Sequence, residues 1–244
     1  MLKLLVLLAC ALPGFPPDQT ILLTEESSLT LRWKLPGRKF QVELVEAGGP
    51  LQSQVLNQPS WTVRVRPGGQ YTWRVTADGA RPWVSHFSVA EKFAYAAQGR
   101  TGSPGKNGTN GGQLRVRLAK DEAGMNLLLW DRETALHYLF LSKRKFTISA
   151  RGGDGGTGPD GVEFDTAEAA RGQNGGGAGW GGTVEVTTRD APWRQYLEIE
   201  VAPGEPGAGG KGGRYYRNGV LEHGTDGRNG QPGRPGRVET AIEP

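Results

Sequence analysis

The sequence predicts a mainly β protein in two parts. The first is an N-terminal β-sandwich; the second is a glycine-rich module of short strands and extended left-handed tracts. Two observations predict this. Between residues 17 and 90, apolar and polar residues alternate in short runs separated by Pro-Gly and Gly-Gly turns. Beyond residue 98, glycine recurs at every third position in tracts that alternate with apolar strands. Glycine supplies 39 of 244 residues, against a usual share of ~7%. Of these, 32 lie between Gly99 and Gly236, so the two parts differ sharply in composition.

Met1 to Gly14 reads as an export signal over 1–11, with Lys3 ahead of an apolar run that ends in small residues. The run falls far short of the ~20 residues that span a bilayer. Two cleavage readings stand. Ala9-Cys10-Ala11 suits ordinary signal peptidase, whereas Leu7-Leu-Ala-Cys10 resembles the bacterial lipobox, which implies lipidation of Cys10. A proline-rich linker over 12–17 follows.

The sandwich is expected over 18–90. Leu29, Leu31 and Trp33 share one face of a strand, as do Phe40, Val42 and Leu44. Trp61-Thr-Val-Arg-Val-Arg66 and Tyr71-Thr-Trp73-Arg-Val75 repeat the alternation. Their inward positions make Trp33, Tyr71 and Trp73 core residues. Leu31-Arg-Trp33, Phe40-Gln-Val-Glu-Leu44 and Pro67-Gly-Gly-Gln-Tyr71-Thr-Trp73 resemble the fibronectin type III sandwich, particularly its version in FecR-like bacterial envelope proteins. The resemblance implies a spacer or binding module, with Tyr71 pinning a corner through its hydroxyl and Trp33 as the core tryptophan.

After a linker over 91–98, the module over 99–244 places glycines in strict Gly-X-Y period. Gly152, Gly155 and Gly158 mark one tract, and Gly227, Gly230 and Gly233 another. Three residues per turn is the polyproline II period, and a glycine at each turn leaves a bare edge for close backbone approach. The strands between tracts align as a repeat. Gly111-Gly-Gln-Leu-Arg-Val opens one unit, Gly181-Gly-Thr-Val-Glu-Val a second and Pro235-Gly-Arg-Val-Glu-Thr a truncated third. Phe146-Thr-Ile-Ser and Leu197-Glu-Ile-Glu close units. Tracts this short, with the frame reset between them, disfavour a continuous collagen rod and favour tracts that fold back within one chain. They resemble the polyglycine II bundles of phage tail-tip adhesins and glycine-rich bacterial surface proteins. Asn-Gly pairs at Asn107, Asn110, Asn174, Asn218 and Asn229 equally suit flexible loops. Asp165 to Gly172 reads as a turn or two of helix. Phe87 to Ala97 reads as strand or short helix.

Catalytic chemistry finds little support. Gly153-Asp-Gly-Gly-Thr-Gly158 imitates a dinucleotide fingerprint, but Pro159 follows where a helix must begin. A single cysteine excludes a disulfide framework and a cysteine zinc site. His86, His137 and His223 share no motif, and His137 reads as a solvent-facing strand residue. No catalytic residue, metal or cofactor is therefore assigned. Lys+Arg exceed Asp+Glu by 29 to 25, and the arginines are scattered (Arg64/Arg66, Arg115/Arg117), unlike the clustering of a nucleic-acid binder.

The expected function is that of a non-enzymatic, exported envelope or surface protein. It would act as a monomeric structural or adhesion module contacting glycan or protein, and would meet membrane only through a lipid on Cys10. Trp180, Trp193, Tyr215 and Tyr216 are the candidate contacts, because aromatics among glycines find little core to hide in. The alternatives are a collagen-like homotrimer with a sandwich head and a cryptic hydrolase on the β scaffold.

Overall fold

The computed structural model describes residues 14–78, 81–163, 166–189 and 192–243. The expected signal with Cys10, and the Asp165 helix cap, lie outside the described residues. The protein is mainly β. Its strands are β1 (Gly14–Phe15), β2 (Thr20–Leu23), β3 (Ser28–Trp33), β4 (Phe40–Glu46), β5 (Leu51–Leu56), β6 (Ser60–Arg64), β7 (Gln70–Ala77), β8 (Trp83–Val89) and β9 (Ala94–Ala96). There follow β10 (Gln113–Lys120), β11 (Met125–Asp131), β12 (Thr134–Phe140), β13 (Phe146–Ser149), β14 (Thr183–Thr188), β15 (Leu197–Glu200), β16 (Arg214–Arg217), β17 (Val220–His223) and β18 (Arg237–Ile242). The segment left open between strand and helix is strand, as β8 and β9. Where a short helix was expected before Gly172, residues 167–170 form a turn, held by Ala170 N–H donating to the Thr166 carbonyl at 3.2 Å.

Two compact units emerge. The first takes residues up to Phe93 with Ala119–Leu128 and Leu136–Lys143; the second takes Ala94–Leu118, Leu129–Ala135 and Arg144–Pro244. Strands β11 and β12 thus contribute to both, although the sequence placed them in the glycine-rich module.

In the first unit, β1, β3 and β6 pair antiparallel as one sheet, and β12, β2, β8, β7, β4 and β5 are successive neighbours in another. Alternation explains the core. Leu29, Leu31 and Trp33 of β3, Phe40, Val42 and Leu44 of β4, and Tyr71, Trp73 and Val75 of β7 join one buried cluster drawn from both sheets. Trp73 is fully buried, edge-on to Trp83 with ring centroids 4.6 Å apart. The indole Nε1 atoms of Trp33 and Trp73 are buried with no hydrogen-bond partner, so these rings contribute area rather than polarity. The Tyr71 hydroxyl accepts a 2.9 Å bond from the Arg66 backbone N–H. At the β4–β5 hairpin, Gly48 has open space around it but a φ of +77°, so conformation alone demands glycine there.

His137 does not face solvent as expected. Asn126 Nδ2 donates to the Gly124 carbonyl at 3.2 Å, which turns its Oδ1 toward His137 Nε2, 2.7 Å away. His137 Nε2 therefore carries the proton, and Nδ1 accepts from Thr20 Oγ1 at 3.3 Å. Burial holds its pKa below the usual histidine range, with the Asp121 carboxylate opposing. A lowered folded pKa means the unfolded chain takes up the proton first. The contribution is whole above ~6.5 and declines as pH falls below that value. The melting temperature is expected to drop between pH 7 and pH 5, and His137→Gln to flatten that drop. An unchanged slope in His137→Gln contradicts the assignment.

The second unit is built on a threefold repeat. Strands β9, β13 and β15 pair parallel, as do β10, β14 and β18. The register sets Leu114 beside Val184 beside Val238, and Phe146 beside Leu197, which is the alignment read from the sequence repeat. Each strand continues into, or arrives from, a glycine tract. We number the tracts 1 (99–105), 2 (106–112), 3 (150–161), 4 (171–182), 5 (202–213) and 6 (224–236).

Candidate functional site

Glycine placement in the second unit is dictated by backbone hydrogen bonds between tracts. Odd tracts bond parallel to one another: Gly99, Gly102 and Gly105 N–H groups donate to the carbonyls of Arg151, Asp154 and Thr157 at 2.8–3.0 Å. Gly152, Gly155, Gly158 and Gly161 donate onward to tract 5. Even tracts do likewise, from Gly108 and Gly111 to tract 4 and from Gly172, Gly175, Ala178 and Gly181 to tract 6. Across the two sets the bonds run antiparallel. Gly176 and Gly179 donate to Gly156 and Gly153, Gly204 and Gly207 to Gly179 and Gly176, and Gly227 and Gly230 to Gly210 and Gly207. In tract 4 two residues of each triplet thus donate to neighbouring tracts, one within the layer and one across it, whereas tracts 5 and 6 donate only across. The third residue of a triplet faces out.

A Cβ on the inward glycines would strike backbone. At Gly152, Gly155 and Gly158 it would lie 2.0–2.2 Å from a tract 4 carbonyl oxygen, and at Gly227, Gly230 and Gly233 1.8–2.4 Å from another. Gly177 differs. It is an outward residue whose Cβ would come no nearer than 3.3 Å to any atom, that of the Asn107 side chain.

The third N–H of each triplet would face water, and at several positions a side chain answers it. Asn107 and Asn110 Oδ1 accept from Gly177 and Trp180 N–H, and Asn174 Oδ1 from Arg228 N–H, at 2.7–2.9 Å. In the odd layer, Asp154 and Asp160 accept from Glu205 and Lys211 N–H at 2.8 and 2.7 Å. At the free edge, Asn229 and Asp226 accept from Gly209 and Gly212. Continuing the same antiparallel register, the next two tract 5 positions are Pro206 and Pro203, which have no N–H, opposite Pro232 and Pro235. Tract 5 donors at this edge are thus either capped or absent, as the requirement that backbone groups be paired demands. Four of the five Asn-Gly pairs therefore carry these caps instead of marking flexible loops. The fifth, Asn218-Gly219, turns the β16–β17 hairpin with φ of +52° and +78°.

The outward residues make two faces. On the even face, successive rows are Asn110–Trp180–Arg234, Asn107–Gly177–Gln231, Asn174–Arg228 and Arg171–Thr225, aligned by the bonds between tracts. All but Gly177 are exposed. The face carries three arginines and no carboxylate. On the odd face, Asp154, Asp160 and Glu205 accompany Arg151 and Lys211, and Arg151 pairs with Asp154 at 3.1 Å.

The four candidate aromatics fall in three places. Trp180, half exposed, lies on the even face with the Arg234 guanidinium 5.4 Å from its ring centroid. Trp193 sits in the 3-10 turn Trp193–Gln195, beneath the Arg194 guanidinium. Tyr215 and Tyr216 are on β16, past the end of tract 5 and at the opposite end of the tracts from Trp180. Tyr216 stands exposed opposite Leu221. The Tyr215 hydroxyl donates to Glu222, and that bond holds its pKa above the usual tyrosine value. The Tyr95 hydroxyl is pushed up to about 12 by burial and by its 2.8 Å bond to Asp131, which suits a structural contact. No protein-family model matches the chain, and no curated protein matches it.

Proposed function

We propose that the chain is an exported, non-catalytic cell-surface protein in which a fibronectin type III-like sandwich serves as stalk and a polyglycine II-type lattice as a rigid binding platform. The observation that carries it is the period-three bonding of the tracts. Gly152 and Gly153 donate in two different directions, and the next residue, Asp154, faces out to cap a neighbour. Such tracts behave as three-residue-per-turn helices sharing glycine edges, and they present side chains in fixed rows about 9 Å apart along each tract. The bond from Arg66 to the Tyr71 hydroxyl and the burial of Trp33 support the sandwich reading. Glycine donors already used within one chain favour that reading over a collagen-like trimer. The ligand would be a glycan or a protein held by the outward rows, and membrane contact would pass through a lipid on Cys10.

Impermeant biotinylation of intact bacterial cells tests this. The mature chain is expected to be labelled in unbroken cells, with Cys10→Ser releasing it to the soluble fraction if the lipobox reading is right. Recovery solely from the cytosol, unlabelled, contradicts it.

A further inference from the structure

The odd and even faces solve one backbone problem with different side chains. Asp154 and Asp160 cap N–H groups on the odd face, whereas Asn107, Asn110 and Asn174 cap them on the even face. Either side chain accepts the bond equally, so the cap does not dictate the choice. The choice sets the outward character of each face. With Oδ1 committed to a backbone N–H, each even-face asparagine keeps its NH2 group, two further donors, without a partner among the described residues. A capping aspartate instead leaves a charged oxygen in its place. Arg171, Arg228 and Arg234 add guanidinium donors to the even face, and none has an ion pair among the described residues. Trp180 supplies an apolar ring at one end. Beside it, Gly177 leaves a gap that the lattice does not require, between Asn107 and Gln231.

We propose that the even face binds an acidic polysaccharide. Its carboxylates would pair with Arg228 and Arg234, its hydroxyl oxygens would accept from the asparagine NH2 groups, and one sugar ring would settle over Gly177 against Trp180. A donor-rich surface without carboxylates, set in fixed rows, suits a repeating, acceptor-rich polymer, and arginine forks match carboxylates in two-point contact. The proposal rests on the platform reading above and adds the chemical class of its ligand.

The test is retention of the full chain on immobilised polygalacturonate, with dextran as the uncharged control. Wild type is expected to bind polygalacturonate at least tenfold more tightly than dextran, and to weaken as salt rises. The triple variant Asn107→Asp, Asn110→Asp, Asn174→Asp keeps every cap while cancelling the face's positive charge. It is expected to melt as wild type does and to bind at least tenfold more weakly. Should it misfold, Arg228→Gln with Arg234→Gln, both exposed, gives the same expected loss. Asp154→Asn on the odd face is expected to leave binding unchanged. Equal binding by the even-face variants, no binding by wild type, or tighter binding to duplex DNA or anionic vesicles overturns the proposal. If binding fails while the second unit melts cooperatively, only the ligand class falls. If the tracts themselves prove uncooperative, the platform reading falls with it.

Discussion

Gly230→Val is expected to destabilise the second unit by about 3 kcal/mol, whereas Gln231→Val, one residue on, changes stability by less than ~0.5 kcal/mol. The first value combines two effects. A Cβ at Gly230 would lie 1.8 Å from the Gly176 carbonyl oxygen, and a backbone oxygen cannot swing aside as the end of a side chain can. Separating tracts 4 and 6 to relieve it would also strain the bond from Gly230 N–H to the Gly207 carbonyl, 2.8 Å long. Gln231 is exposed on the even face, where a new side chain meets water. Chemical denaturation of both variants reads the difference. Superimposable curves would mean that the tracts do not pack.

Trp73→Ala is expected to cost about 3–5 kcal/mol in the first unit, the range for deleting a fully buried tryptophan. The ring is wholly inaccessible, and Trp33 and Trp83 pack against it with centroids 6.2 and 4.6 Å away. The unpartnered Nε1 means that no hydrogen bond is lost, so the cost is packing alone. Trp180→Ala is the matched control, since Trp180 is half exposed and contacts Arg234 over one face. Its expected cost stays within ~1 kcal/mol. A loss below ~1 kcal/mol for Trp73→Ala would contradict its place in the core.

Strands with strict alternation were legible in the sequence because one face of each is buried. Thus β3, β4 and β7 were read directly, and the repeat alignment of Leu114, Val184 and Val238 proved to be their parallel register. Strand β5 was missed. Leu51-Gln-Ser-Gln-Val-Leu56 is an edge strand with little burial, so no core imposes a pattern on it. The β16–β17 hairpin was missed for a similar reason, and its Asn218-Gly219 turn was noted only as one of five Asn-Gly pairs. The division of β11 and β12 between two units left no trace in local pattern, because it depends on contacts far apart in the chain.

At the candidate site, the period of the glycines was legible but the role of the residues between them was not. Asn107, Asn110 and Asn174 were noticed only as Asn-Gly pairs, a signal that local chemistry shares with turns. Their function depends on a neighbouring tract some 54 or 70 residues away. A second signal was present. Pro203 and Pro206 occupy the tract 5 positions that Asn229 and Asp226 cap elsewhere, and Pro232 and Pro235 stand at the capping positions opposite them. The four candidate aromatics were named for their glycine setting, and the fold places them in three separate positions.

The most direct measurement of the packed tracts is amide hydrogen exchange, residue by residue, in the full chain. Gly207 and Gly230 donate to carbonyls across the layers at 2.9 and 2.8 Å, whereas Ala208 and Gln231 are exposed and their N–H groups have no partner among the described residues. Packed tracts predict strong protection at Gly207 and Gly230, and at Gly152, Gly155 and Gly176, with rapid exchange at Ala208 and Gln231. Protection would rise and fall with a period of three. Uniformly rapid exchange from 202 to 213 and from 224 to 236 would contradict the lattice and every role assigned to its faces.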